Sequence, residues 1–190
     1  KTINRFAENS IVDTKYIKTE AISIDEPSFG LNDINAGSEI LCEALEKAFN
    51  VKAVTRQIHL HSASRLPDLL SIKNIDVLSF EYAASPKNIQ SVSKKMLDSY
   101  DKNIRVGIAR TDIDSMIAEL NDQNIVNPTN QQLVESEEKI RKRYISAKEK
   151  FGDRMTYTGP DCGFTGWVTQ EAVQTLLENT VKAVKKTSVT

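Results

Sequence analysis

The chain has 190 residues, and its 25 Lys and Arg nearly balance 26 Asp and Glu, for a formal charge of -1. That balance excludes a broad cationic field for nucleic acid or anionic lipid. No apolar run reaches the ~18 residues that span a bilayer and no basic-then-apolar leader opens the chain, so the expectation is a cytoplasmic protein without nucleic-acid or membrane partners. Cys42 and Cys162 allow at most one disulfide, which excludes a staple-rich secreted scaffold.

The length suits one domain, 1–190, with a single substantial core. Ala21-Ile22-Ser23-Ile24 predicts a first strand ending in Asp25-Glu26-Pro27, where the proline stops a ladder. A loop with Gly30, Asn32 and Asp33 follows, then a helix from about Gly37 to Phe49. The second strand runs from Val54 to His61, followed by a short helix with Leu66, Leu69 and Leu70. Asp76 to Glu81 is the third strand, and Ser85-Pro86 predicts a helix start continuing through Ile89, Val92 and Met96. Ile104 to Ala109 is the fourth strand, followed by a polar stretch around Asn127-Pro128 without a clear pattern. Ser136 is placed to cap a helix from Glu137 to Lys150, and Arg154 to Thr158 is the fifth strand. The last helix begins near Thr169 with Ala172, Val173, Leu176, Leu177, Val181 and Val184 on one face, leaving Lys185 to Thr190 as a frayed tail.

Five strands separated by helices predict an α/β fold with a parallel sheet, whose ligands gather at the carboxyl ends of the strands. Asp25 and Glu26, His59 and His61, Glu81, and Asp161 with Cys162 all fall at such ends. Residues two apart on a strand share a face, so His59 and His61 can point the same way. Two imidazoles, a carboxylate and a thiolate suit tetrahedral zinc. Each residue also has a structural reading, as a buried hydrogen-bonded histidine, a solvent-facing strand end, a loop partner or an inert thiol, and spacing alone does not choose.

Ile24-Asp25-Glu26-Pro27, Ile58-His59-Leu60-His61, Ile75 to Glu81, Val134 to Ile140 and Gly159-Pro160-Asp161-Cys162-Gly163-Phe164 occur in that order across residues 21–184. In this the chain resembles the carboxyl-terminal catalytic domain of the cobalamin-independent methionine synthases, within the wider group that includes uroporphyrinogen decarboxylases and corrinoid-dependent thiol methyltransferases. The resemblance implies a zinc site at His59, Glu81 and Cys162, with His61 where the family carries a cysteine. It implies that Asp25 contacts the substrate amine and Ser79 the substrate carboxylate region. It also places Asp114, in Thr111-Asp112-Ile113-Asp114-Ser115, where the family's proton-delivering histidine stands.

The implied function is zinc-dependent methyl transfer from methyltetrahydrofolate to the thiol of homocysteine, forming methionine. Alternatives are a corrinoid-dependent thiol methyltransferase and a non-catalytic partial barrel that binds zinc or a partner. A complete (β/α)8 barrel takes about 250 residues, so the expected architecture is a partial TIM-like barrel, about the last five βα units. Its open edges are expected to be covered by self-association or by a missing barrel segment. Replacing a thiolate ligand with the neutral His61 is expected to hold a bound thiolate more tightly and make it less nucleophilic.

Overall fold

Among the described residues, five parallel strands lie side by side in chain order: β1 (Ala21–Asp25), β2 (Thr55–Leu60), β3 (Val77–Glu81), β4 (Asn103–Ala109) and β5 (Met155–Pro160). The computed structural model describes residues 1–30, 37–52, 54–167 and 169–187; Asn32 and Asp33 of the expected first loop lie outside the described residues. Helices flank the sheet: α1 (Thr2–Asn9), α2 (Ser38–Ala48), α3 (Lys94–Tyr100), α4 (Ile113–Asp122), α5 (Asn130–Leu133), α6 (Glu137–Phe151) and α7 (Gln170–Thr187). This is an α/β fold consistent with a partial (β/α) barrel.

The two-residue period of the strands separates two chemistries. Ile58, Leu60, Leu78, Phe80, Ile104, Val106 and Ile108 alternate along β2 to β4 and join one core with Phe151, Ile140, Ala147 and Leu176 of the covering helices. The opposite face is polar. Register pairs Asp25 with His59, His59 with Ser79, and Ser79 with Arg105, so one row crosses four strands.

The helices follow local signals with informative exceptions. The Ser136 hydroxyl accepts from Lys139 N at 3.4 Å, Glu137 and Glu138 occupy the first turn of α6, and Lys148 and Lys150 the last, all favourable to the helix dipole. Gly152, at φ +57°, ends it in a backbone region that side chains resist. The helix expected from Ser85 through Met96 is instead broken. Pro86–Gln90 is a 3-10 turn with no cap from the Ser85 side chain, and Ser93 starts α3 by accepting from Met96 N. The break turns the Asn88 side chain inward, where it binds backbone groups near the sheet end.

Leu66–Leu69 is likewise a 3-10 turn, and the unpatterned stretch after β4 contains α4 and α5. The expected tail is helical through Thr187. On α7 the buried residues are Ala172, Leu176, Thr180 and Ala183, whereas Leu177 and Val181 are exposed. The apolar stripe inferred from spacing is therefore rotated, because α7 meets the sheet and α6 along Ala172, Leu176, Thr180 and Ala183.

Among the described residues, no helix is long and apolar enough to cross a membrane.

Candidate metal centre

His59 lies inside β2, His61 one residue past its end, Glu81 closes β3, and Cys162 follows β5 by two residues. Because the strands are parallel, all four emerge at the same end of the sheet. Each offers a donor atom, and the four atoms lie within 4.8 Å of one another. His61 Nε2 is 3.7 Å from both Glu81 Oε1 and Cys162 Sγ. Zinc bonds of about 2.0–2.3 Å imply tetrahedral edges of roughly 3.3–3.8 Å, so these separations suit donors around one ion better than a nitrogen–carboxylate hydrogen bond.

His59 provides a direct test of fit. Its ring is buried, Nδ1 lies 3.0 Å from Ser79 Oγ, and Nε2 has no hydrogen-bond partner among the described residues. Arg105 Nη1 donates to the same Ser79 oxygen at 3.1 Å. A tautomer with Nδ1–H donating to Ser79 leaves the Nε2 lone pair free, the arrangement in which a second partner orients a metal-binding histidine. An orphaned buried nitrogen costs stability unless something fills its valence. The N, N, O, S donor set and this orphan together fit zinc.

Backbone anchors set the ligands. Asn88 Nδ2 donates to His61 O and to Glu81 O, both at 2.8 Å, while Asn88 Oδ1 accepts from Ala63 N at 3.1 Å. One buried amide thus ties together the backbones of two candidate ligands. Asp161 accepts from Tyr82 N, Ala83 N and Ala84 N at 3.1, 3.0 and 2.6 Å, joining the turn after Glu81 to the turn carrying Cys162. Cys162 N donates to Thr111 Oγ1 at 3.1 Å.

Burial dominates the proton affinities. It pushes Glu81 up to about 7, helped by the Asp161 and Asp112 carboxylates, and it also raises the Cys162 thiol. It pushes His59 down to about 4. Asp161 is raised by burial to about 6, even though its three backbone donors pull the other way. A cation would reverse the penalty at Glu81 and Cys162 by compensating their anionic forms.

A cavity of about 180 Å³ adjoins the cluster, lined in part by Asp25, Gln57, His59, Arg105, Asp161 and Cys162. Asp25, at the exposed end of β1, lines it and accepts from Ser23 Oγ at 3.3 Å. Ser79 is fully buried behind His59, its hydroxyl engaged by His59 and Arg105. Asp114 lies exposed in the first turn of α4 and does not line this cavity. The structure thus brings together His59, His61, Glu81 and Cys162, with Asp25 and Ser79 bordering the cavity and His59 respectively, whereas Asp114 is exposed and outside the cavity lining.

Sequence reasoning missed Arg105, Asn88 and Thr111. For Arg105 a signal existed, since a guanidinium stands mid-way along the otherwise apolar Ile104 to Ala109. For Asn88 and Thr111 there was none, as their partners are distant in the chain.

No protein-family model matches the chain, and no curated protein matches it in sequence. A B12-independent methionine synthase from Shewanella sp. W3-18-1, solved in complex with selenomethionine, has a similar fold, with a TM-score of 0.57 and 17% identity. The match covers 90% of this chain and 50% of that one, so the chain spans half the length of the protein it resembles. At this identity the likeness establishes shared architecture: a methionine-synthase-like fold carrying a candidate His, His, Glu, Cys metal site.

Proposed function

We propose that the chain is the zinc-binding portion of a distant relative of the B12-independent methionine synthases, and that it takes part in methyl transfer to the thiol of homocysteine. The observation that carries this reading is the convergence of His59, His61, Glu81 and Cys162 at the strand ends of a methionine-synthase-like fold.

Zinc held by these residues would supply Lewis acidity, lowering the pKa of a thiol so that it reacts as a thiolate at neutral pH. The chain's own part is positional. Ser79 and Arg105 hold His59 in one tautomer, Asn88 fixes the backbones of His61 and Glu81, and Asp161 holds the Cys162 turn against the turn following Glu81. Asp25 presents a carboxylate to the cavity, where it would receive the substrate ammonium. In the transfer, the thiol proton passes to solvent and a sulfur–carbon bond forms with the methyl group. The bond from methyl to the folate nitrogen breaks, its electron pair staying on nitrogen, which then takes a proton.

The placement of Asp114 favours a second reading of the donor. Its carboxylate is exposed and does not line the cavity. A methylcorrinoid donor needs no protonated leaving nitrogen.

The test is elemental analysis for one zinc per chain, followed by methionine formation from homocysteine with methyltetrahydrofolate or a methylcorrinoid in parallel. One zinc with product from either donor supports methyl transfer and identifies the donor. Zinc without product from either leaves a metal-binding partial barrel, and a chain that retains no zinc overturns the metal reading.

A further inference from the structure

Arg105 is the cation of the Asp25–His59–Ser79–Arg105 row, and its guanidinium is hydrogen-bonded to neutral groups. It stands in the middle of β4, half-buried, between the core residues Ile104 and Val106. Burial lowers its proton affinity, as expected of a cation withdrawn from water, while Asp161, Cys162 and Asp25 act in the opposite direction from a distance. A guanidinium has five N–H donors. Two hydrogen bonds engage them here, from Nη1 to Ser79 Oγ at 3.1 Å and from Nη2 to Pro160 O at 2.6 Å. Both acceptors are neutral, and no carboxylate pairs with Arg105 among the described residues. Every other buried or half-buried arginine bonded to a side chain in the interior, such as Arg56 with Asp76, Arg110 with Asp112 and Arg143 with Glu135, has a carboxylate partner.

The nearest carboxylates are otherwise committed. Asp161 is occupied by three backbone N–H groups, and Asp25 stands at the other end of the row, bonded to Ser23. A half-buried cation without a directly paired anion is costly, and the cost is relieved when an anion arrives. The guanidinium opens into the cavity beside His59 and Cys162, so an anion reaching it would lie next to the candidate metal centre. A guanidinium fork suits a carboxylate better than a lysine ammonium would.

We propose that Arg105 is a specificity-determining residue that receives the carboxylate of a small thiol whose sulfur is directed at the His59, His61, Glu81 and Cys162 centre. This rests on the thiol-binding reading of that centre and adds to it the residue that selects the thiol by charge. Ser79 then has a supporting role, holding the guanidinium in place while it orients His59.

The experiment uses the full chain loaded with Co(II) in place of zinc, and follows thiol binding by the sulfur-to-cobalt absorption. The probes are 3-mercaptopropionate and the neutral 3-mercaptopropionamide, with affinities corrected for each thiol's own pKa. The parent is expected to bind the carboxylate thiol at least ~10-fold more tightly, as a charge-assisted pair requires. Arg105→Gln, compared at saturating cobalt, is expected to bring the ratio near one, and Arg105→Lys to retain part of the preference. A parent ratio near one, which needs no variant, overturns the proposal, as does a preference that survives in Arg105→Gln. In either of those outcomes thiol binding itself persists and the reading of the metal centre stands. Failure of both thiols to perturb bound cobalt overturns that reading, and the role of Arg105 with it.

Discussion

Gly107 of β4 and Asp161, the residue after β5, interlock: a Cβ on residue 107 would overlap Asp161 Oδ1 and stand 2.6 Å from Asp161 Cα. The missing side chain makes room for the carboxylate that binds Tyr82, Ala83 and Ala84. Gly107→Ala therefore has to displace backbone and carboxylate together. The expected loss is about 1–3 kcal/mol of unfolding free energy, the usual range for overpacking a filled interior, read from urea denaturation of parent and variant. Weaker zinc retention should accompany it, because Cys162 is the next residue after Asp161.

The two cysteines separate a ligand from a bystander. Cys42 packs against the core from α2, with its sulfur 3.4 Å from Asp68 O, and is not among the clustered donors. Cys162→Ser is expected to weaken zinc by at least ~100-fold in a chelator competition, since a hydroxyl replaces an anionic soft donor. Cys42→Ser should leave zinc affinity unchanged. Equal retention by both variants would remove Cys162 from the ligand set.

Ser79→Ala distinguishes two roles for one hydroxyl. If Ser79 orients His59, its loss should cost about 10–100-fold in zinc affinity, the range seen for partners of metal-bound histidines. If it instead binds the substrate carboxylate, zinc affinity should hold while thiol affinity falls. The buried position between His59 and Arg105 predicts the first outcome, measured by chelator competition beside thiol titration.

Glu135 sets a pH limit on the fold. Burial alone would raise its carboxyl, but donors from Arg143 at 2.6 and 2.8 Å, from Lys139 and from Arg110 N outweigh burial and hold it at about 2. Because the folded value lies below the unfolded one, the stabilisation is fully present above about pH 4.5 and is lost as pH falls towards 2. The linked stabilisation is about 3 kcal/mol near neutrality. Glu135→Gln should lower stability at pH 7 and flatten its decline between pH 5 and 3, read from urea midpoints across that range.

His61→Cys places a thiolate donor where the His61 imidazole stands. At matched zinc occupancy and with the complete active unit supplied, methionine formation should rise, because thiolate donation makes a bound sulfur more nucleophilic. Pre-steady-state product formation with each methyl donor is the measurement. Unchanged rates despite confirmed coordination by the new cysteine would mean that ligand charge at this position does not limit the chemistry.

Much of the architecture is encoded within short stretches of chain. The apolar runs of β2, β3 and β4 and the Ser136 cap of α6 are legible because their causes, side-chain period and a hydroxyl three residues from an amide, are local. The candidate ligands are legible too, since a parallel sheet sends every strand end to the same side. Tertiary structure alone decided the rest. The helix expected from Ser85 is broken where Asn88 turns in to bind His61 O and Glu81 O, and the stripe on α7 is rotated so that Leu177 and Val181 face outward. Arg105 took its meaning only from its register beside Ser79 and from the absence of a carboxylate partner among the described residues. These features depend on groups brought together from distant parts of the chain, and hydrophobic period and local propensity carry no record of which distant group arrives.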